Sequence, residues 1–344
     1  MLLQNTVELN TEPHQSSKIE IDIPEVVANY GLYLKCKLLK DGEEVAHTEH
    51  KLECEIIKAK PSDLANYTED ERFIYFEGDG FIYTFSKLYG NFTSININGN
   101  EQLDSKIMLT AWRAPTDNDR NIKFRWGNYN IWQGENLDCL FSKVYDCSVI
   151  NGKILVKGSI GGVSRIPFFN YNLEVSVFSN GKIEFELNGN VRENVVWLPR
   201  LGFEFTMNGS GKEFTYYGSG PYESYCDMCH ASSVGLYDSN ADKEYVNYVM
   251  PQEHGNHTLS KMLSIGDMVF ESDNTFDFNV SNYSSKMLTK ANHTDELKTN
   301  GKTYIRIDYK NSGIGSNSCG PELLQQFKLD EKEINFKFTM YRKD

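Results

Sequence analysis

The sequence predicts an all-β, antiparallel fold built on two broad stacked sheets, and three observations support it. Asn-Gly recurs at Asn98-Gly99, Asn151-Gly152, Asn180-Gly181, Asn188-Gly189, Asn208-Gly209 and Asn300-Gly301. Both residues tolerate positive φ, so each dipeptide suits the tight type I′ turn of a hairpin. The flanks of two of these turns alternate polar and apolar with period two: Asn172 to Phe178 with Lys182 to Leu187, and Val144 to Ile150 with Lys153 to Ile160. No apolar period of 3.6 is sustained over eleven residues, which leaves strands as the building element.

In chain order, residues 1–58 read as a separate unit. Lys18 to Pro24 and Tyr30 to Leu38 have strand patterns, and Asp41-Gly42 turns into a third strand. The segment is about half the length of an immunoglobulin-like sandwich, so it reads as a partial β-sandwich of that kind, the tail of a domain. Lys58 to Asp63, with Pro61 inside, breaks the pattern and is the linker candidate. Residues 59–344 then form one large β domain, long enough to bury a sizeable core.

Composition bounds the partners. A net charge of -13 repels phosphate backbones, and no Lys/Arg cluster forms a basic track, so nucleic acid is excluded. The N-terminus has no cationic stretch followed by an apolar run, and no stretch reaches about 18 apolar residues; neither export nor a membrane span is expected. Seven cysteines, an odd number spread over a long chain, suit reduced thiols and a cytoplasmic location.

Four segments carry residues suited to chemistry. Trp112 to Arg120 packs an aromatic, a guanidinium and the carboxylates Asp117 and Asp119 around Pro115, which fits either an internally hydrogen-bonded loop or a sugar-facing one. Tyr216 to Tyr225 is a Gly/Pro turn crowded with rings. Tyr222 with Glu223 suits a pyranose face and its hydroxyls, while turn chemistry alone also explains the glycines. Glu253-His254 offers a carboxylate beside a group that titrates near neutrality, but strand neighbours point to opposite faces, which favours a structural or rim role. Asn311 to Pro321 is a Gly/Ser/Asn loop in which backbone can approach a ligand closely. Cys226-Asp227-Met228-Cys229-His230 lacks the second pair a zinc site needs, so no metal and no cofactor is expected in this chain.

Arg113 to Asp119, Gly218 to Tyr225, Tyr248 to Gly255 and Gly313 to Pro321, in this order and at this spacing, resemble the last domain of family 2 β-galactosidases. The resemblance covers about residues 60 to 342, with residues 1–58 similar to the end of the immunoglobulin-like domain that precedes it. It implies a large antiparallel supersandwich like that of galactose mutarotase, a partner catalytic (β/α)8 barrel carrying the two carboxylates that retaining hydrolysis needs, and a galactoside substrate. It also implies that Arg113, Asp117, Asn118 and Asp119 lie near the mouth of the active site and that Asn317, Ser318 and Cys319 lie in the subsite of the leaving sugar. Cys319 stands where some members place a stacking Trp, and Asn121 where a Gly occurs in members whose adjoining loop moves. Tyr222, Glu223, Glu253 and His254 are secondary candidates, and no catalytic residue is expected here. A stand-alone carbohydrate-binding module and a mutarotase-like epimerase using Glu253 with a His are the rival functions. Unpaired strand edges in residues 1–58 leave a homo-oligomer open.

Overall fold

The structure is a computed structural model that describes residues 3–57, 62–127 and 134–343. Contacts divide the chain into two compact units, Met1–Ala59 and Lys60–Asp344. Of the linker candidate, Lys58 to Pro61 lie outside the described residues.

In the first unit, Leu32–Lys40 pairs antiparallel with Glu43–Leu52 across a turn in which Asp41 and Gly42 take φ of 53° and 84°. The mirror-image turn expected of Asp-Gly is therefore formed. Val27–Ala28 and Glu55–Ile56 add a short parallel pairing. Lys18 to Pro24 is not a strand: Ile19, Ile21 and Ile23 stand 42%, 46% and 44% exposed. Alternation says which face a strand would bury, but a strand also needs a ladder partner for its backbone groups, and none of the described residues supplies one.

The second unit holds a five-stranded antiparallel meander, Tyr67–Glu69, Phe73–Gly78, Phe81–Ser86, Asn91–Ile97 and Asn100–Glu101. Beside it lies a twelve-stranded antiparallel sheet. Along the sheet's main path run Met108–Thr110, Arg200–Asn208, Lys302–Asn311, Met268–Ser281, Glu333–Arg342, Ile183–Val191, Phe169–Val177, Lys153–Gly162 and Leu140–Ile150. Met268–Ser281 is the branch strand. Its first residues pair with Glu333–Arg342, its last with Lys302–Asn311, and Asn256–Ile265 flanks it and leads on to Glu213–Gly220 and Ser233–Asn240. The core lies between the meander and the large sheet. Phe185 stacks on Phe338 at 4.7 Å and meets Phe92 of the meander edge-on at 5.9 Å, so one aromatic cluster joins both layers.

Asn98-Gly99, Asn151-Gly152 and Asn180-Gly181 each close a hairpin. Asn188-Gly189 does not: it lies inside Ile183–Val191, where a Cβ on Gly189 would sit 2.5 Å from the Phe169 ring. Asn208-Gly209 turns the chain between Arg200–Asn208 and Glu213–Gly220, which do not pair, while Asn300-Gly301 ends a long excursion between the paired strands Met268–Ser281 and Lys302–Asn311 and closes no tight hairpin; the two dipeptides meet through Gly209 N–H to the Gly301 carbonyl at 2.8 Å.

Gly202 is the tightest point of the central pairing, since a Cβ there would lie 2.4 Å from both the Asp308 Cα and the Ile307 carbonyl. Backbone cannot yield as a side chain does. Gly202→Ala is expected to cost about 3 kcal/mol or more in urea unfolding, against about 1 kcal/mol for Gly99→Ala, which has open space but a φ of 86°.

Candidate functional site

The loop segments singled out in the sequence converge at one end of the large sheet. Arg113 is fully buried and Asp119 nearly so. The guanidinium donates to both carboxylate oxygens of Asp119, at 3.2 and 2.8 Å, and also to the carbonyls of Ser312 and Gly313. Asp119 further accepts from the Thr116 backbone N–H at 2.9 Å, and its own N–H donates to the Thr116 carbonyl at 2.9 Å, which closes the single turn Asp117–Asn121. One Arg/Asp fork thus folds the first loop and ties it to the last. Asn118 donates to the Ile314 carbonyl, and Asn121 reaches Asn317 at 3.3 and 3.4 Å.

The other two segments attach to the same cluster. Gln252 accepts from the Asp117 N–H at 2.7 Å, and the Glu253 N–H donates to the Ala114 carbonyl at 3.1 Å. Glu223 accepts from the Tyr248 hydroxyl at 2.6 Å and the Gly255 N–H at 2.8 Å. Asp227 accepts from the N–H groups of Ile314 and Gly315 at 2.9 and 2.7 Å, and a Cβ on Gly313 would strike its carboxylate at 2.5 Å. Glycine is therefore needed for the loop to close on Asp227.

The expected site residues fall into two groups. Arg113, Asp119, Glu253 and His254 are enclosed; the side chains of Arg113, Asp119 and His254 hold backbone of the loop cluster, while the Glu253 carboxylate faces Arg200. Asp117, Cys319 and Tyr222 are exposed, and Asn118, Asn317, Ser318 and Glu223 are half-buried. His254 and Glu253 do not work as a pair: the His254 Nδ1 lies 2.8 Å from the Gln252 carbonyl, while Glu253 faces Arg200 at 3.9 Å. Tyr216 takes the core reading, packed among Phe214, Tyr237, His257 and Phe278. Burial pushes the Cys226 thiol up to about 12, and among the described residues no group of three His, Cys, Asp or Glu side chains is placed to hold a metal.

Beneath the loops lies a buried polar layer that sequence reasoning missed. Arg200 pairs with Asp308, which adjoins Asp277 on the next strand; Asp277 accepts from the Asn311 N–H at 3.1 Å and from Asn256 at 3.3 Å. The available signal was a lone charge in the apolar run Val195-Val196-Trp197-Leu198-Pro199-Arg200-Leu201. Asp227 was visible only as part of the Cys226 to His230 motif, and nothing in that motif pointed to its grip on the loop at Gly313.

A family model described as the β-galactosidase small chain matches residues 77–340. The chain belongs to that family. A β-galactosidase of Actinobacillus pleuropneumoniae is 29% identical over 348 residues, covering 96% of this chain and 34% of that protein. One from Kluyveromyces lactis is 30% identical over 353 residues, covering 96% and 33%. This small-chain member thus spans about a third of the length of the curated relatives it matches. Among solved structures, an aldose epimerase homologue from C. elegans aligns at a TM-score of 0.43 with 8% identity, covering 79% of this chain and 98% of that one. A galactose 1-epimerase from Lactobacillus acidophilus aligns at 0.38 with 9% identity, covering 90% and 97%.

Burial raises the Asp277 carboxyl from the ordinary 3.8 to about 7 and Asp308 to about 6, in the latter against the pull of Arg200. A raised carboxyl binds its proton more tightly in the folded chain, so its stabilisation is complete below about pH 4 and is lost as pH rises towards 7. Urea unfolding is expected to show stability falling by about 1–4 kcal/mol between pH 4.5 and 7.5, with a smaller slope in Asp277→Asn. An unchanged slope in the variant would remove Asp277 from the account.

Proposed function

We propose that this small-chain region completes the rim of the active site in a β-galactosidase that hydrolyses terminal β-D-galactosides, the two catalytic carboxylates lying in polypeptide outside this chain. The observation that carries the reading is the convergence of four distant segments on one loop cluster in which the enclosed side chains of Arg113, Asp119 and His254 hold backbone. Asp117, Asn118, Asn317, Ser318 and Cys319 are left at or near its surface. Such a cluster is built to present a fixed rim. Its outward groups are short and polar, suited to hydroxyls of the leaving sugar; the Cys319 thiol offers little area for stacking, so affinity for the leaving group rests on hydrogen bonds.

An epimerase reading is less well supported, because Glu253 is only 1% exposed and an acid or base must come within hydrogen-bond reach of the sugar. Chromogenic β-galactoside hydrolysis separates the possibilities. The chain alone is expected to be inactive, and mixing it with the separately produced preceding portion of the same enzyme is expected to restore turnover. Turnover by the chain alone, or none in the mixture, contradicts the proposal.

A further inference from the structure

Away from the loop cluster, a polar groove lies where the meander strand Asn91–Ile97 meets Met108–Thr110 and Arg200–Asn208 of the large sheet. It is about 430 Å³ in volume and lined by Thr93, Ser105, Lys106, Met108, Glu204 and Thr206, with Phe205 beneath. That volume lies in the range of small-ligand sites, about 300–1,000 Å³. Glu204 lies four residues along its strand from Arg200, about 13 Å at a strand's rise, so the groove is separate from the loop cluster.

Its walls are oriented from below. Arg306, only 1% exposed, donates its Nε–H to one Glu204 oxygen at 2.7 Å and is itself held by the Asn279 side-chain oxygen at 2.7 Å. A buried guanidinium therefore fixes a carboxylate that remains about a third exposed. The Ser105 hydroxyl accepts from the Thr206 N–H at 3.0 Å, which leaves its own proton free to donate. The Lys106 ammonium rests 3.5 Å above the ring of Tyr89, itself 40% exposed, and among the described residues no carboxylate lies within 4 Å of it. Cation and anion thus share one groove without pairing.

We infer that this groove is a binding site for a neutral sugar ring. A polyol presents donors and acceptors on every carbon: its hydroxyls donate to Glu204, accept from Lys106, and do either with Ser105 and Thr93, while Met108 offers apolar surface to its C–H face. Glu204 and the net charge of -13 disfavour a phosphate or an acidic ligand. A zwitterionic amino acid would engage the two charges and leave the hydroxyls idle. In so open a groove the expected dissociation constant is about 1–10 mM.

The test is a titration of the full chain, amide-labelled, with methyl β-D-galactoside and with glycine, followed by backbone chemical shifts. Saturable shifts with the sugar at Thr93, Ser105, Lys106 and Thr206 are expected, weakened at least tenfold in Lys106→Ala. Glu204→Gln serves as a second variant, since Glu204→Ala would strand the buried Arg306. The inference is overturned if glycine and not the sugar moves these signals, if the sugar moves only signals of the loop cluster, or if neither variant weakens binding.

Discussion

The loop cluster of this molecule depends on one buried interaction, the fork between Arg113 and Asp119. Neither partner is tolerable in the interior alone; an isolated buried charge costs several kcal/mol, and removing one member of such a pair typically costs about 3–5 kcal/mol. Together they satisfy each other bidentately, and the guanidinium keeps donors for the carbonyls of Ser312 and Gly313, some 200 residues away in sequence. Two loops that share no strand are thereby made one rigid element. The remaining attachments follow from it: Gln252 onto Asp117, Asn118 onto Ile314, and Asp227 onto the N–H groups of Ile314 and Gly315.

Much of the fold was legible because local and non-local signals agreed. At Asn151-Gly152 the turn chemistry, the period-two flanks and the final pairing of Leu140–Ile150 with Lys153–Gly162 all point the same way. Where local signal stood alone it misled. Asn188-Gly189 has the composition of a turn, but its glycine answers to the ring of Phe169 on the next strand. Ile19, Ile21 and Ile23 alternate like a strand and have no ladder partner among the described residues.

The site was legible as a set of segments and not as a geometry. Motif order marked the loops that carry Arg113, Glu223, Glu253 and Asn317, yet spacing along the chain says nothing about which of them touch. That Arg113 holds backbone while Asp117 and Cys319 face outward is decided by burial. Asp227 was hidden for a similar reason, since its role is defined by two N–H groups nearly 90 residues away. Arg200, Asp277 and Asp308 form a buried polar layer in which Asp277 holds the Asn311 N–H and the Asn256 side chain, and such a layer leaves little trace in sequence beyond a charge inside an apolar run.

The central claim, that one fork unites the two loops, is tested most directly by amide hydrogen exchange on Arg113→Lys. The substitution keeps the charge beside Asp119 but removes the planar fork and the donors to Ser312 and Gly313. The account predicts that exchange quickens together in the turn at Asp117 to Ile122 and in the loop at Gly313 to Asn317, while the strands Ile183–Val191 and Glu333–Arg342 keep their protection. Faster exchange in only one of the two loops, or in neither, would contradict it.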